Sequence, residues 1–133
     1  MNELIKHGAE WMLRLGLGLM FLYSGFDIMN HPENWQWAIK GLPEFTQSLI
    51  KSTIGVNVYL RLQGGSEVLF AYFLLTWFQP RWLVMGTAVV VALEMLAIIG
   101  MLGIDGVTFR DIGLFGGGLA LAFFELAEMQ AQT

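Results

Sequence analysis

The strongest constraint on this chain is a set of four apolar stretches, each close to the length that crosses a lipid bilayer. A bilayer core is about 30 Å thick, so a spanning α-helix needs about 20 mostly apolar residues. The stretches cover residues 11–29, 58–78, 82–102 and 109–126. Residues 88–93 are apolar at every position, whereas a barrel strand alternates in polarity. The sequence therefore predicts an all-α, antiparallel bundle of four transmembrane helices.

Composition agrees with a chain that meets lipid over much of its surface. Of 133 residues, 14% are charged, whereas a soluble domain carries about 25%. This length suits one membrane domain over residues 1–133, with the lipid bilayer as its first partner. The net charge of -4 and the lack of a basic run argue against nucleic acid. The absence of cysteine excludes disulfides and thiolate metal sites.

The first stretch also has the length of a secretory signal core. Arg14 and Asp27 bracket its uncharged part, and no small-x-small cleavage motif follows. These features favour a retained transmembrane helix. An even number of spans then puts both termini on one side, and the link at 79–81 is short enough to force an antiparallel hairpin.

The long connection between the first two stretches carries an amphipathic pattern. Leu42, Phe45 and Leu49 recur at helical spacing, which predicts an interfacial helix lying along the membrane. Trp35 and Trp37 suit the headgroup level, because indole has an apolar body and a polar N–H. An ordinary structured loop is the alternative.

The residues that constrain function are the charges within the apolar stretches. They are Arg14, Asp27, Arg61, Glu67, Glu94, Arg110 and Asp111. A charge at the bilayer centre costs at least about 2.5–3.5 kcal/mol, so such a side chain is expected to face a partner or a wet cavity.

Helix geometry predicts the depth of the two isolated glutamates. At 1.5 Å per residue, Glu67 lies about 14 Å from the start of the second stretch, and Glu94 lies about 12 Å from the same side. The two acids should therefore share a level on neighbouring helices. Asp27, Arg61, Arg110 and Asp111 fall in the same half of the bundle, and the arginines are expected to face its interior. Arg14 alone lies near the opposite face.

Two interpretations of this cluster remain open. In one, a polar pocket uses Glu67 and Glu94 to exchange protons or to hydrogen-bond a ligand. In the other, an ion-pair network pins the helices together. Asp27 and His31 share a helix face but have no second histidine nearby, so no metal site is predicted.

The chain resembles the DoxX-like family of small four-helix membrane proteins. RLGLG at 14–18 and FLYSGFD at 21–27 are similar to the first-helix pattern of that family. GSE at 65–67 resembles the acidic motif of the second helix, and RDIG at 110–113 resembles the start of the fourth. The resemblance extends over about residues 10–125.

This resemblance implies a multi-pass protein of the cell (inner or cytoplasmic) membrane with both termini in the cytoplasm. One branch, DoxD, is a membrane subunit of thiosulfate:quinone oxidoreductase. Carried over by motif, the functional positions are Arg14, Glu67, Arg110 and Asp111. The family often has lysine at the position of Ile28, so this chain departs from it where an anion such as thiosulfate would be handled.

The leading functional hypothesis is a membrane subunit of a quinone-linked redox system. Glu67 and Glu94 are the predicted proton-exchanging or ligand-bonding pair, and the remaining intramembrane charges are the predicted cofactor-binding residues: Arg14, Asp27, Arg61, Arg110 and Asp111. A quinone is the candidate cofactor, and a redox partner protein and a second copy of the chain are candidate partners. A non-catalytic assembly or anchoring protein is the alternative, and a small transporter is a third. Whether the chain is itself an enzyme is left open.

Overall fold

Helices make up almost all of the structure, a computed structural model that describes residues 2–133. The six α-helices of this part of the chain are α1 (Glu3–Asn30), α2 (Gln36–Lys40), α3 (Glu44–Thr53), α4 (Val56–Leu75), α5 (Arg81–Leu102) and α6 (Phe109–Ala131). A 3₁₀ turn at Pro32–Trp35 precedes α2. The predicted all-α class is confirmed.

Three of the helices, α1, α5 and α6, are long and apolar enough to cross a membrane. The second predicted stretch forms α4, which has 20 residues. Its mean hydropathy is lowered by Arg61, Gln63, Ser66 and Glu67. By length and composition the count is therefore three spans, and a fourth span through α4 remains a prediction.

The four long helices pack as two close antiparallel pairs, α1 with α4 and α5 with α6. In the first pair Gly25 faces Gly64 so closely that a Cβ added to Gly64 would lie 2.6 Å from the Gly25 carbonyl oxygen. In the second pair a Cβ on Gly118 would lie 3.0 Å from the Ala88 carbonyl oxygen. Glycine thus sets the separation of each pair.

The contacts between the two pairs come from larger apolar side chains. Leu17 of α1, Leu74 of α4, Val84 of α5 and Leu121 of α6 form one buried cluster across all four helices. These helices run alternately up and down. We call the end where α1 ends and α4 begins the loop end, and the end where α1 begins and α6 ends the terminal end.

The outward faces of the long helices are apolar. Tyr23 on α1, Leu62 on α4, Leu93 on α5 and Phe123 on α6 are each at least 60% exposed. Contiguous apolar surface of this extent is unfavourable in water. It is the surface expected of helices in contact with lipid.

The helix predicted in the first connection is present as α3, directly after Pro43. Its Ile50 is buried against α1, α2 and α4, while Phe45 and Leu49 are exposed. The exposed apolar pair fits the predicted interfacial position, which remains a prediction.

Candidate functional site

A cavity of about 270 Å³ lies at the loop end of the bundle. Side chains of α1, α4, α5 and α6 form its walls, and α2 with the preceding 3₁₀ turn adds Trp35, Trp37 and Ile39. Most of the wall is apolar. Its polar members include Ser24, Gln63, Glu67, Glu94, Thr108, Arg110 and Asp111. Four of the seven predicted site residues therefore meet in one cavity.

Glu67 is the most deeply buried carboxyl on this wall, with 6% of the residue exposed. The hydroxyl of Ser24 on α1 donates a hydrogen bond to Glu67 Oε2. Ser24 reaches this position because the neighbouring Gly25 lies directly against Gly64 of α4. Close helix packing is thus what brings a donor to the carboxyl.

Glu94 comes to the same cavity from α5 and is half-buried. The side-chain amide of Gln63 donates a hydrogen bond to Glu94 Oε1. Gln63 precedes Glu67 by one helical turn, so both face the cavity from α4. The two glutamates therefore reach the same cavity from α4 and α5.

Sequence reasoning missed both donors. A weak signal existed for Gln63, which lies four residues before Glu67 and so shares its helix face. For Ser24 the sequence carries no such signal, because only the pairing of α1 with α4 places it beside Glu67.

The two glutamates have no cationic partner in the part of the chain that the structure describes, since none of the ion pairs there includes them. Arg110 lies at the exposed edge of the cavity, with its Nε 4.0 Å from Asp111 Oδ1. Arg61 is exposed on α4 and does not line the cavity. The expectation that Arg61 faces the bundle is wrong, because the α4 face that packs inward carries Leu60, Gly64, Glu67 and Ala71 instead.

Asp27 lies beside the cavity and acts on its wall indirectly. Its Oδ2 accepts a hydrogen bond of 2.7 Å from Trp35 Nε1. Trp35 in turn stacks on Trp37, with ring centroids 6.2 Å apart. Asp27 therefore holds in place the aromatic residues that cover one side of the cavity.

A turn that begins at Asp105 leads into the N-terminus of α6, where α6 lines the cavity. Asp105 Oδ1 accepts hydrogen bonds from the backbone N–H groups of Thr108 at 2.8 Å and Val107 at 2.7 Å. The bond from the Thr108 backbone, followed by that from Val107, holds the pKa of Asp105 below its usual value of 3.8. Thr108 is the N-cap residue of α6, and Arg110 and Asp111 follow within the first turn of the helix.

Arg14 belongs to a second polar cluster at the terminal end. It is 4% exposed, and its Nη1 lies 3.1 Å from Glu10 Oε1. Its Nε and Nη2 donate to the carbonyl oxygens of Leu74 at 2.8 Å and Thr76 at 2.6 Å. Those carbonyls end α4, so Arg14 ties α1 to the C-terminus of α4 and lies outside the cavity.

The rest of this second cluster was not predicted. Arg81 Nη1 lies 2.8 Å from Glu125 Oε2 and 3.4 Å from Glu10 Oε2. Glu125 is fully buried, and within residues 2–133 its Oε1 has no hydrogen-bond partner. Glu10 precedes Arg14 by four residues, a spacing that indicates an ion pair. Nothing in the sequence pairs Arg81 with Glu125, which are brought together only by the packing of α5 on α6.

The two clusters differ in chemistry. At the terminal end, two arginines neutralise two glutamates in an ion-pair network across the helices. At the loop end, two carboxyls held by neutral donors face a cavity. Comparison with protein-family models, curated proteins and solved structures finds no match to the chain. By the length and apolar surface of its helices, this is a multi-pass, all-helical integral membrane protein.

Proposed function

We propose that this chain is a four-span, DoxX-like protein whose loop-end cavity binds the head group of a quinone, as the membrane subunit of a redox system. The observation that carries the proposal is the pair Glu67 and Glu94 on the wall of one largely apolar cavity, without cationic partners among residues 2–133. Ligand sites typically combine apolar walls with a few convergent polar groups.

The cavity matches the two parts of such a ligand. Phe21, Met95 and Leu114 supply apolar wall for a ring and the start of a prenyl tail. Glu67 and Glu94 supply groups that form hydrogen bonds and exchange protons with the ring oxygens. The cavity volume is about 270 Å³. This is close to the lower end of the range for small-molecule sites, about 300–1,000 Å³. It would hold the head group while the tail remains in lipid.

Reduction of a quinone takes two electrons and two protons. The glutamates account only for proton exchange, and no cysteine is present. The electrons must therefore come from a redox partner protein or a cofactor that such a partner carries. This requirement is why we propose a subunit rather than a complete oxidoreductase.

The fourth span is supported by the outer face of α4. The helix has 20 residues, or about 30 Å at 1.5 Å per residue. Val58, Leu62, Leu69 and Tyr72 on it are at least 48% exposed, which suits lipid. Of its polar residues, Gln63 and Glu67 face the cavity, and the exposed Arg61 lies within two turns of the start of the helix.

Topology is testable by labelling, because the chain has no native cysteine. Single variants Glu3→Cys, Gln132→Cys and Ser48→Cys place a thiol at each terminus and on α3, all at exposed positions. With four spans, a membrane-impermeant maleimide labels the two terminal variants from one side, expected to be cytoplasmic, and Ser48→Cys from the other. Labelling of the two termini from opposite sides would rule out the four-span arrangement.

Ligand binding is testable by gentle extraction followed by mass spectrometry. We expect a quinone, and a redox partner protein, to copurify with the wild-type chain. The double variant Glu67→Gln, Glu94→Gln should lose the quinone, whereas Glu44→Gln, at an exposed position on α3, should retain it. Extracts in which the wild type carries neither quinone nor partner would overturn the redox proposal.

A non-catalytic assembly or anchoring role is the second candidate. The observation that favours it is the terminal-end network of Glu10, Arg14, Arg81 and Glu125, whose ion pairs join α1, α5 and α6. If this were the whole function, variants at Glu67 and Glu94 would leave complex assembly intact, and Arg81→Ala would disrupt it.

A further inference from the structure

We infer that a second cavity at the loop end binds the phosphate group of an anionic phospholipid from the surrounding bilayer. This cavity, which we call the lysine cavity, has a volume of about 320 Å³ and lies between α2, α3 and the start of α4. Ile39 lines both cavities, and the other residues of the two walls differ. The inference rests on the proposed span through α4 but not on quinone binding, because it concerns a different site.

The charged groups on the wall of the lysine cavity are all cationic. Lys40 of α2 and Lys51 of α3 line it, together with the amide side chains of Gln36, Gln47 and Asn57. In the part of the chain that the structure describes, no carboxyl group lines this cavity and neither lysine belongs to an ion pair. Hydrogen bonds between a cation and a phosphate are strong ones. The wall therefore offers a phosphate two cations that the protein leaves unneutralised.

The terminal end of the bundle provides a contrast. There Lys6, Arg14 and Arg81 each lie within 3.3 Å of a glutamate oxygen. The cations of that end are neutralised within the protein. At the lysine cavity the neutralising anion must come from outside the chain.

Hydrogen bonds fix the wall of the lysine cavity. Gln47 Nε2 donates to the backbone carbonyl oxygens of Lys40 at 3.1 Å and Leu42 at 2.8 Å, which joins the end of α2 to α3. Gln36 Nε2 donates to Asn57 Oδ1 at 3.3 Å. This bond uses the oxygen of the Asn57 side chain and leaves its amide N–H groups available to an anion. The two helices that carry the lysines are thus held in place relative to each other.

The level of the cavity indicates a lipid as the source of the phosphate. Val58 and Leu62, which follow Asn57 on α4, are 50% and 61% exposed, so the lipid-facing surface begins beside the cavity. Phe45 and Leu49 are exposed on α3, as suits a helix at the membrane interface. Lipid phosphates lie at this boundary, and basic pockets there bind anionic head groups.

The same ligand accounts for the outward position of Arg61. This residue follows Asn57 by one helical turn and so lies on the same side of α4. Among residues 2–133 it has no acidic partner within ion-pair distance. An unpaired arginine on a lipid-facing helix is costly. A lipid phosphate at the level of Asn57 lowers that cost, because the long arginine side chain extends toward the head groups.

The test compares two phospholipids with the same acyl chains, the anionic phosphatidylglycerol and the zwitterionic phosphatidylcholine. The purified chain in a neutral detergent is titrated with each lipid, and native mass spectrometry measures how much stays bound. The shared acyl chains cancel in the ratio of the two affinities. We expect the wild type to bind phosphatidylglycerol at least about tenfold more tightly, since each lysine near a membrane surface contributes about fivefold to the binding of an anionic lipid.

Variants assign the binding to the lysine cavity. Lys40→Gln and Lys51→Gln should each weaken the binding of phosphatidylglycerol about fivefold, and the double variant should weaken it about 25-fold. Lys51→Arg keeps the charge and should retain binding. Lys6→Gln, which removes the same charge at the terminal end, should keep the wild-type affinity. The wild-type ratio between the two lipids decides the matter even where a variant fails to fold.

Three results would overturn the inference. They are equal binding of the two lipids to the wild type, equal losses in Lys6→Gln and in the double variant, and displacement of the lipid by an equal concentration of glycerol 3-phosphate. The last result would show a site for a dissolved phosphate ester. Quinone copurification is a separate measurement, so failure of lipid binding leaves the quinone proposal standing. Labelling of the two termini from opposite sides would instead remove the span through α4 on which the level of the cavity depends.

Discussion

The close contact of α1 with α4 gives the sharpest test of how this bundle is held together. Gly64→Ala adds a single methyl group at the point where the two helices meet. That methyl would lie 2.6 Å from the Gly25 carbonyl oxygen and 3.0 Å from the Met29 backbone nitrogen. These two neighbours are backbone atoms of α1 and cannot turn aside, whereas the Met29 Cγ, at 2.8 Å, belongs to a flexible side chain.

The displacement follows from the distances. To reach an ordinary contact of about 3.4 Å, α1 must move away by about 0.8 Å. Forcing a methyl group into a packed interface of this kind costs about 1–3 kcal/mol. Against this stands a gain of about 1 kcal/mol in helix propensity for replacing glycine by alanine.

Gly65→Ala is a matched control one residue along the same helix. A Cβ at Gly65 meets nothing within 4 Å, so this variant has the same propensity gain without the clash. The difference in free energy of unfolding between the two variants, about 1–3 kcal/mol, therefore isolates the packing term. Stepwise transfer from mild detergent into sodium dodecyl sulfate, followed by far-ultraviolet circular dichroism, measures it.

We also expect Gly64→Ala to weaken ligand binding, because moving α1 pulls Ser24 away from Glu67. The reasoning is refuted if Gly64→Ala and Gly65→Ala unfold at the same detergent fraction. That result would mean that α1 and α4 do not approach at these glycines.

Two further predictions concern the ends of the bundle. Arg81→Ala leaves the fully buried Glu125 without its ion-pair partner and should lower the free energy of unfolding by about 3 kcal/mol. This is the lower end of the range for buried pairs, because the Arg81 side chain is 27% exposed. Arg61→Ala, at an exposed position, should change the free energy of unfolding little, and equal effects of the two variants would contradict the burial argument. The lowered pKa of Asp105 means that its bond to the Thr108 N–H stabilises the turn fully above pH 3.8, the usual value, and is lost as pH falls through the lower folded-state pKa. Amide exchange at Thr108, corrected for its intrinsic pH dependence, should therefore lose protection only below about pH 4, and loss at neutral pH would refute the assignment.

The sequence by itself determined the helical elements. Apolar stretches of bilayer length and a short hairpin link are local properties, so α1, α5 and α6 could be predicted from them. Residue counts predicted that Glu67 and Glu94 lie at similar depth, because the rise of an α-helix is fixed, and the two do line one cavity. The polar residues of α4 are equally visible in the sequence, and they are what lowers its mean hydropathy.

Only the tertiary structure decided which helices pair and which side chains meet. Gly25, Gly64 and Gly118 lie against the backbone of a neighbouring helix, whereas Gly113, which is spaced from Gly117 in the G-x-x-x-G pattern typical of helix contacts, has open space around it. The orientation of α4 about its own axis places Arg61 on the outer surface. Rotation and pairing depend on summed contacts between segments distant in sequence, and local periodicity does not encode them.

The same limit explains the two polar clusters. The sequence predicted that charged residues cluster at the loop end of the bundle. It could not distinguish an ion-pair network from a ligand cavity, because both contain the same residue types. The structure separates them, with neutral donors beside Glu67 and Glu94 and arginines beside Glu10 and Glu125. The physical reason is that a charge pair forms only where packing brings both partners within a few ångströms, and residue counts fix level along a helix but not direction around it.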